Sequence, residues 1–286
     1  MVNKGVDVLL KEIITFGFKL KKRFLGHNIS ARSAQMTYYW ILAFFPFLIV
    51  IMSMLSFTNI AEVEFLGYVK NYVPTAVMPF IETTISQLIQ YRSTTLLSVS
   101  LIVSIWSASA AVNVMIRGIH MAYSAVDGRS FVIRKLISMF YTLILAVLIV
   151  VMIVVLIFGS NIGEYVINLL VPNDAWYYGP IWELLRLTMP IIGLLVGLYI
   201  IYKFIPRRHL RYKNVWPGTI FASVGWYVFS VLFSVYVNHF SRYNQMYGSI
   251  GGMFILLIWL YTSGMLLLMG AEINALLQDT IKMRGK

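Results

Sequence analysis

The stretch that decides the fold is the last hydrophobic run, Tyr247–Leu277, which reads YGSIGGMFILLIWLYTSGMLLLMGAEINALL. About 22 residues between Ser249 and Ala271 carry no charge, enough for an α-helix to cross a hydrocarbon core of roughly 30 Å. Glycines open the run, Trp259 and Tyr261 sit near its middle, and Glu272 and Asn274 close it. It is too apolar for a water-soluble helix and carries more polar groups than a plain anchor. An indole N–H and a phenol O–H at mid-membrane each need a partner, so this helix is expected to face other helices rather than lipid.

The rest of the chain points the same way. Apolar residues make up 59% of the 286 positions and charged ones 12%, about half the usual charged share of a soluble domain. Such an excess is solvated by lipid. The expected class is all-α: a polytopic membrane protein with six transmembrane helices, near 35–57, 96–116, 136–158, 187–205, 215–237 and 249–271. Together they form one domain over 25–278, followed by a short tail, 279–286. The N-terminus lacks the apolar core and small-residue cleavage site of a signal peptide.

Residues 1–24 read as an amphipathic helix. Val6, Leu9, Leu10, Ile13, Phe16, Leu20 and Phe24 recur at spacings of three and four, giving one apolar stripe. Lys19, Lys21, Lys22 and Arg23 crowd its end, which suits a helix lying on an anionic leaflet. In the first span, Pro46 removes one backbone bond and is expected to kink the helix. The connection 58–95 is too polar to span. Its pieces Glu62–Val73 and Pro79–Tyr91 are expected to be short surface helices of the first outer loop.

The second span places Ser100, Ser104, Ser107, Ala108 and Ala111 along one helix. Small residues let helices approach closely in lipid, so this span is expected to be central. The third, nearly uniform in Leu, Ile and Val, is expected to face lipid. In the fourth, Pro190 lies one turn inside. The fifth is entered through Trp216, Pro217 and Gly218, where a proline is harmless because its missing N–H would be unpaired anyway.

Charge gives direction. Loops expected on one side, with both ends, hold 19 Lys and Arg; the alternate loops hold 3. The positive-inside rule therefore puts both termini in the cytoplasm. The same distribution accounts for the net charge of +12 without a nucleic-acid partner. The two halves share no motif, so an inverted repeat is not supported.

No P-loop, Gly-rich dinucleotide fingerprint, catalytic triad or paired carboxylates can be recognised. Cysteine is absent, and His27, His120, His209 and His239 are widely spaced, so neither a metal centre nor another cofactor is expected. Ionisable and polar groups near spans are the default functional candidates. Asn113, Arg117 and His120 fall within two turns at the end of the second span. Glu183 and Arg186 are three apart at the start of the fourth, close enough to pair at the interface. Glu272 and Asn274 form either a polar helix end or a latch to the basic loop of Lys203, Arg207, Arg208, Arg211 and Lys213. Asn238, His239, Arg242 and Tyr247 crowd a tight turn and read as an outer polar cap. The pairs Gly193/Gly197 and Gly248/Gly252 have the spacing of close helix contacts.

Three blocks carry a family resemblance: AQMTYYWILAFFP (Ala34–Pro46), IYKFIPRRHLRYKNVWPG (Ile201–Gly218), and FSRYNQMYGSIGG with LLIWLY, LMGAEIN following (Phe240–Asn274). Over roughly 20–278 the chain resembles the YihY/BrkB family of bacterial inner-membrane proteins, which once carried the name ribonuclease BN. The resemblance implies a six-helix domain with cytoplasmic termini, but no catalytic residues to carry over. The function expected is a transporter or translocase of an amphipathic or anionic envelope molecule, such as a lipid, without its own ATPase. The alternative is a non-transporting scaffold or regulator whose loop 58–95 meets an envelope partner or a second copy. Ribonuclease chemistry needs clustered metal ligands, which the loops lack, so enzymatic activity is not expected.

Overall fold

The computed structural model describes residues 2–55, 78–79, 82–83, 94–124, 128–148, 178–206, 214–239 and 242–284, with some side chains at helix ends left out. Among the described residues the chain is all-α. It forms α1 (Val2–Gly26), α2 (Ile29–Leu55), α3 (Thr94–Ala122), α4 (Phe131–Leu148), α5 (Tyr178–Phe204), α6 (Trp216–His239) and α7 (Arg242–Arg284).

Four segments are long and apolar enough to cross a membrane: Ser98–Ala122, Phe131–Leu148, Trp216–Val237 and Gly251–Thr280; the apolar part of α5, Ile191–Phe204, is shorter. The chain is therefore a multi-pass membrane protein. The expected count of six spans is larger than these four. The connection 58–95 and the second half of the third span lie largely outside the described residues.

The turn between α1 and α2 is tight. His27 N donates to Arg23 O at 2.9 Å, and Asn28 takes a φ of 51°, a left-handed conformation that asparagine tolerates better than most residues. α2 then runs unbroken through Pro46.

Helix α2 packs most extensively on α3, and the buried positions show why. On α3 they include Ser100, Ser104, Ser107 and Ala111; on α2 they include Ile29, Ser33, Met36, Ala43 and Val50. Alternating spacings of three and four, or seven, put these residues on one seam of each helix. The serines let the backbones approach, and Val99, Ile102 and Trp106 point away on the exposed face. Half of the apolar segment of α3 is buried, against 11% for α4. Of the four apolar segments, that of α3 is the most buried and that of α4 the least. α4 is held at its start by Lys135, whose Nζ donates to Trp106 O at 3.0 Å and Ser109 Oγ at 2.7 Å.

α6 and α7 form an antiparallel hairpin. The closest approach joins Gly218 to Gly270: a Cβ on Gly218 would overlap Gly270 O, and one on Gly270 would lie 2.7 Å from Gly218 O. Among the described residues, the close crossing is therefore made by glycines that have no G-x-x-x-G partner. Of the pairs singled out by spacing, Gly197 meets Leu148 at 3.1 Å.

α7 is the organising helix. Its 43 residues extend roughly 64 Å at 1.5 Å per residue, and it touches α1, α2, α3 and α6. Phe254 and Ile258 are exposed, whereas every residue from Gly270 to Leu276 is buried. An α-helix turns once in 3.6 residues, so a buried run of this length is enclosed on all sides.

Candidate functional site

The enclosed end of α7 collects most of the polar groups that the sequence singles out. Glu272 is 1% exposed, and a carboxylate at that depth persists only when charge and hydrogen bonds compensate it. Arg23 Nη1 donates to Glu272 Oε2 at 3.3 Å, and His27 Nδ1 meets Glu272 Oε1 at 2.5 Å. Arg23 also donates through Nη2 to Asp279 Oδ2 and through Nη1 to Ala122 O at 3.0 Å. The last contact satisfies a carbonyl at the C-terminus of α3 that has no helical donor. One arginine therefore joins the ends of α1, α3 and α7.

These contacts bear on two expectations. Glu272 meets Arg23 and His27; of the basic loop expected as its latch, residues 207–213 lie outside the described residues. Arg23 points into the bundle instead of toward a leaflet, while Lys19, Lys21 and Lys22 remain exposed. The reason is position: Arg23 occupies the last turn of α1 just before the Gly26–Asn28 turn, which swings it over Glu272.

Asn274 lies two residues further along α7, hence on a different side. Its Oδ1 accepts Gly218 N–H at 2.8 Å, satisfying a donor in the first turn of α6. Its Nδ2 is buried with no partner among the described residues. Two more ties bring α5 to the same place. His120 Nε2 donates to Ile205 O at 3.2 Å, and the fully buried Tyr202 donates to Leu267 O at 2.6 Å. Asn113, about two turns from His120 along α3, is half-buried, and its Oδ1 has no partner among the described residues. Arg117 is exposed on the same helix.

A second polar feature lies further along the α6–α7 hairpin. Trp226 Nε1 donates to Ser263 Oγ at 2.9 Å, and Trp259 Nε1 donates to Ser230 Oγ at 3.1 Å. The two indoles meet edge-on, with centroids 5.5 Å apart. Each helix offers a Trp and a Ser four residues later, and antiparallel packing lets each Trp reach the other helix's Ser. Trp259 was a candidate from sequence; Trp226, Ser230 and Ser263 were missed, although the repeated W-x-x-x-S spacing was there to be read. Tyr261 leaves this seam; it is half-buried and shares a 2.7 Å hydrogen bond with Ser30, an exposed residue near the start of α2.

The side chains of Glu183, Arg186, Asn238, His239, Arg242 and Tyr247 lie outside the described residues. The expected interfacial pair and outer cap therefore belong to the helix backbones of α5, α6 and α7 without further detail. Among the described residues no group of three His, Asp or Glu is placed to hold a metal ion.

Comparison with known proteins agrees with this architecture. A ribonuclease-like protein of Bacillus subtilis (strain 168), YfkH, is 34% identical over 270 residues, covering 94% of this chain and 98% of its own. A UPF0761 membrane protein of Aeromonas salmonicida (strain A449) is 22% identical over 262 residues, covering 90% of this chain and 87% of its own. One from Tolumonas auensis is 33% identical over 107 residues, 36% of this chain and 35% of its own. No solved structure matches. The family described as virulence factor BrkB matches residues 20–286, from the end of α1 through the whole of α7, and the chain belongs to that family.

Proposed function

We propose that this protein is a cytoplasmic-membrane transporter or translocase of an amphipathic or anionic envelope molecule, a lipid or lipid-linked compound, without its own ATPase. In this reading it crosses the membrane six times with both termini in the cytoplasm. The carrying observation is the enclosed end of α7, where Glu272 and Asn274 are 1% and 0% exposed. Ionisable and amide groups inside a membrane bundle cost free energy and mark pathways or gates more often than lipid-facing positions do. Asn113 Oδ1 and Asn274 Nδ2, without partners among the described residues, supply further polar groups on the helices that meet there. The charge asymmetry of the loops supports the orientation.

The test is reconstitution into liposomes with fluorescent phospholipid in one leaflet. The wild type is expected to speed exchange between leaflets severalfold over empty liposomes, and Glu272→Gln to reduce that gain. Exchange and solute uptake no faster than in empty liposomes would remove the transport reading.

One observation favours a second reading, a scaffold or regulator. Both oxygens of Glu272 are already engaged, as suits a static joint. Pull-down of an envelope protein that depends on loop 58–95, with no transport, would support it. The ribonuclease-like name of the Bacillus protein is not taken over, because scattered histidines and loop acids offer no ligand cluster for metal-assisted cleavage.

A further inference from the structure

Two arginines at the enclosed end stand apart from the ion-pair network. Arg32, in the first turn of α2, is half-buried; its Nε donates to His27 O at 3.0 Å and its Nη2 contacts Met121 Sδ at 3.4 Å. These contacts fix the plane of the guanidinium, but neither carries negative charge. Arg117 precedes Met121 by four residues, which puts both on one face of α3 and brings a second guanidinium toward the first. The three ion pairs among the described residues use Arg23 and His27. Glu272 and Asp279 are occupied by them, so among the described residues neither Arg32 nor Arg117 is given a carboxylate.

Burial, and after it the positive charge of Arg117, holds the Arg32 guanidinium below the ordinary arginine value. A half-desolvated cation beside a second cation is unfavourable unless an anion bridges the two. Planar guanidinium forks suit the oxygens of a phosphate, to which each can donate two parallel hydrogen bonds. The position also fits, since basic recesses between helix ends at a membrane surface take anionic headgroups.

We propose that Arg32 and Arg117 form a phosphate-binding site at the junction of α2 and α3, filled either by the headgroup of an anionic phospholipid or by free phosphate. The site does not require transport, because its readout is binding. Purified full-length protein in detergent with phosphatidylcholine is titrated with dioleoylphosphatidylglycerol or with inorganic phosphate. Bound lipid is counted by native mass spectrometry and unfolding is followed by temperature.

The wild type is expected to retain phosphatidylglycerol over phosphatidylcholine and to unfold at higher temperature with it. Arg117→Gln, at an exposed position that leaves the fold intact, is expected to bind roughly tenfold more weakly, the loss of one charge-assisted contact. Without any anion it should unfold at the same or a higher temperature than the wild type, because a repulsion has gone. Arg117→Lys should recover part of the binding, and Lys21→Gln, which removes an exposed charge from α1, should bind as the wild type does. Arg32→Gln should match Arg117→Gln in binding while also losing the tie to His27. Protection by phosphate alone assigns the site to free phosphate; protection by phosphatidylglycerol alone assigns it to the lipid. Equal binding by wild type and Arg117→Gln, equal loss in Lys21→Gln, or no response of the wild type to either anion would overturn the proposal.

Discussion

The enclosed end of α7 and the tryptophan–serine seam perform the same task, joining helices through polar groups in an apolar setting, by opposite means. At the enclosed end, Glu272 draws on Arg23 and His27, which lie 249 and 245 residues away in sequence. In the seam, neutral donors and acceptors pair across a single hairpin, with Trp226 and Ser263 37 residues apart and Ser230 and Trp259 29 apart. The first is a charge cluster whose parts are costly to bury alone; the second is a self-complementary repeat in which each member loses little when the other fails. Charge concentrates the stability of the bundle at one residue, and neutral pairs spread it.

The largest break in that comparison is at the charged end. Glu272→Ala leaves His27 without its acid and Arg23 with Asp279 alone. Breaking a fully buried pair costs about 3–5 kcal/mol, and with the remaining cations partly exposed the loss is expected near the lower end of that range. Thermal unfolding in detergent is expected to shift down accordingly, and limited proteolysis should cut first between α1 and α2, since α1 is otherwise mostly exposed. Unfolding like the wild type's would show that the cluster does not hold α1.

Gly218→Ala is next. Its Cβ would meet the carbonyl of Gly270 and the amide of Asn274, whose carbon and nitrogen stand 2.6 Å away. A backbone oxygen cannot move aside as a side chain can, so the cost is expected near the upper end of the roughly 1–3 kcal/mol of overpacking. The matching control, Gly225→Ala, meets only the end of Leu266 at 3.1 Å and should cost less. If the two cost the same, the helices do not pivot on Gly218 and Gly270.

The seam is expected to yield less. Trp259→Phe removes one interhelical hydrogen bond, which in a membrane protein averages about 0.6 kcal/mol. A double-mutant cycle of Trp226→Leu and Trp259→Leu, which removes the rings, should show coupling through the edge-on contact, on the order of 0.5–1.5 kcal/mol. Zero coupling would reduce the seam to two independent bonds.

The smallest effect has the opposite sign. Ser124 follows α3 with a φ of 52°, a conformation that glycine adopts at no steric cost. Ser124→Gly is expected to leave stability unchanged or to raise it by no more than about 0.5 kcal/mol, read as a small upward shift in unfolding temperature.

Much of this molecule was legible in advance for physical reasons. The spacing of Ser100, Ser104, Ser107 and Ala111 marks a face that only another helix can cover, and α2 covers it. The uniform Leu, Ile and Val of α4 offer little to hold a neighbour, and only Ser138 and Thr142 of its described positions are buried. The tight Gly–Gly crossing was not legible, because Gly218 and Gly270 lie on different helices and no local spacing relates them. The seam could have been seen, since its W-x-x-x-S unit occurs once on each of two adjacent helices.

By itself the sequence determined that the chain belongs in a membrane, that it is helical, and that α7 is its most decorated helix. Those properties follow from local composition and period, which act over a few turns. Only the tertiary structure decided what the decorations do. It turned Glu272 and Asn274 to different neighbours, since two residues along a helix are separated by about 200° of rotation. It withdrew Arg23 from the row of exposed lysines beside it, because the turn at Gly26–Asn28 carries that one side chain over the end of α7. A charge's partner depends on which helix ends are brought together, and no property of the residue or its sequence neighbours contains that information.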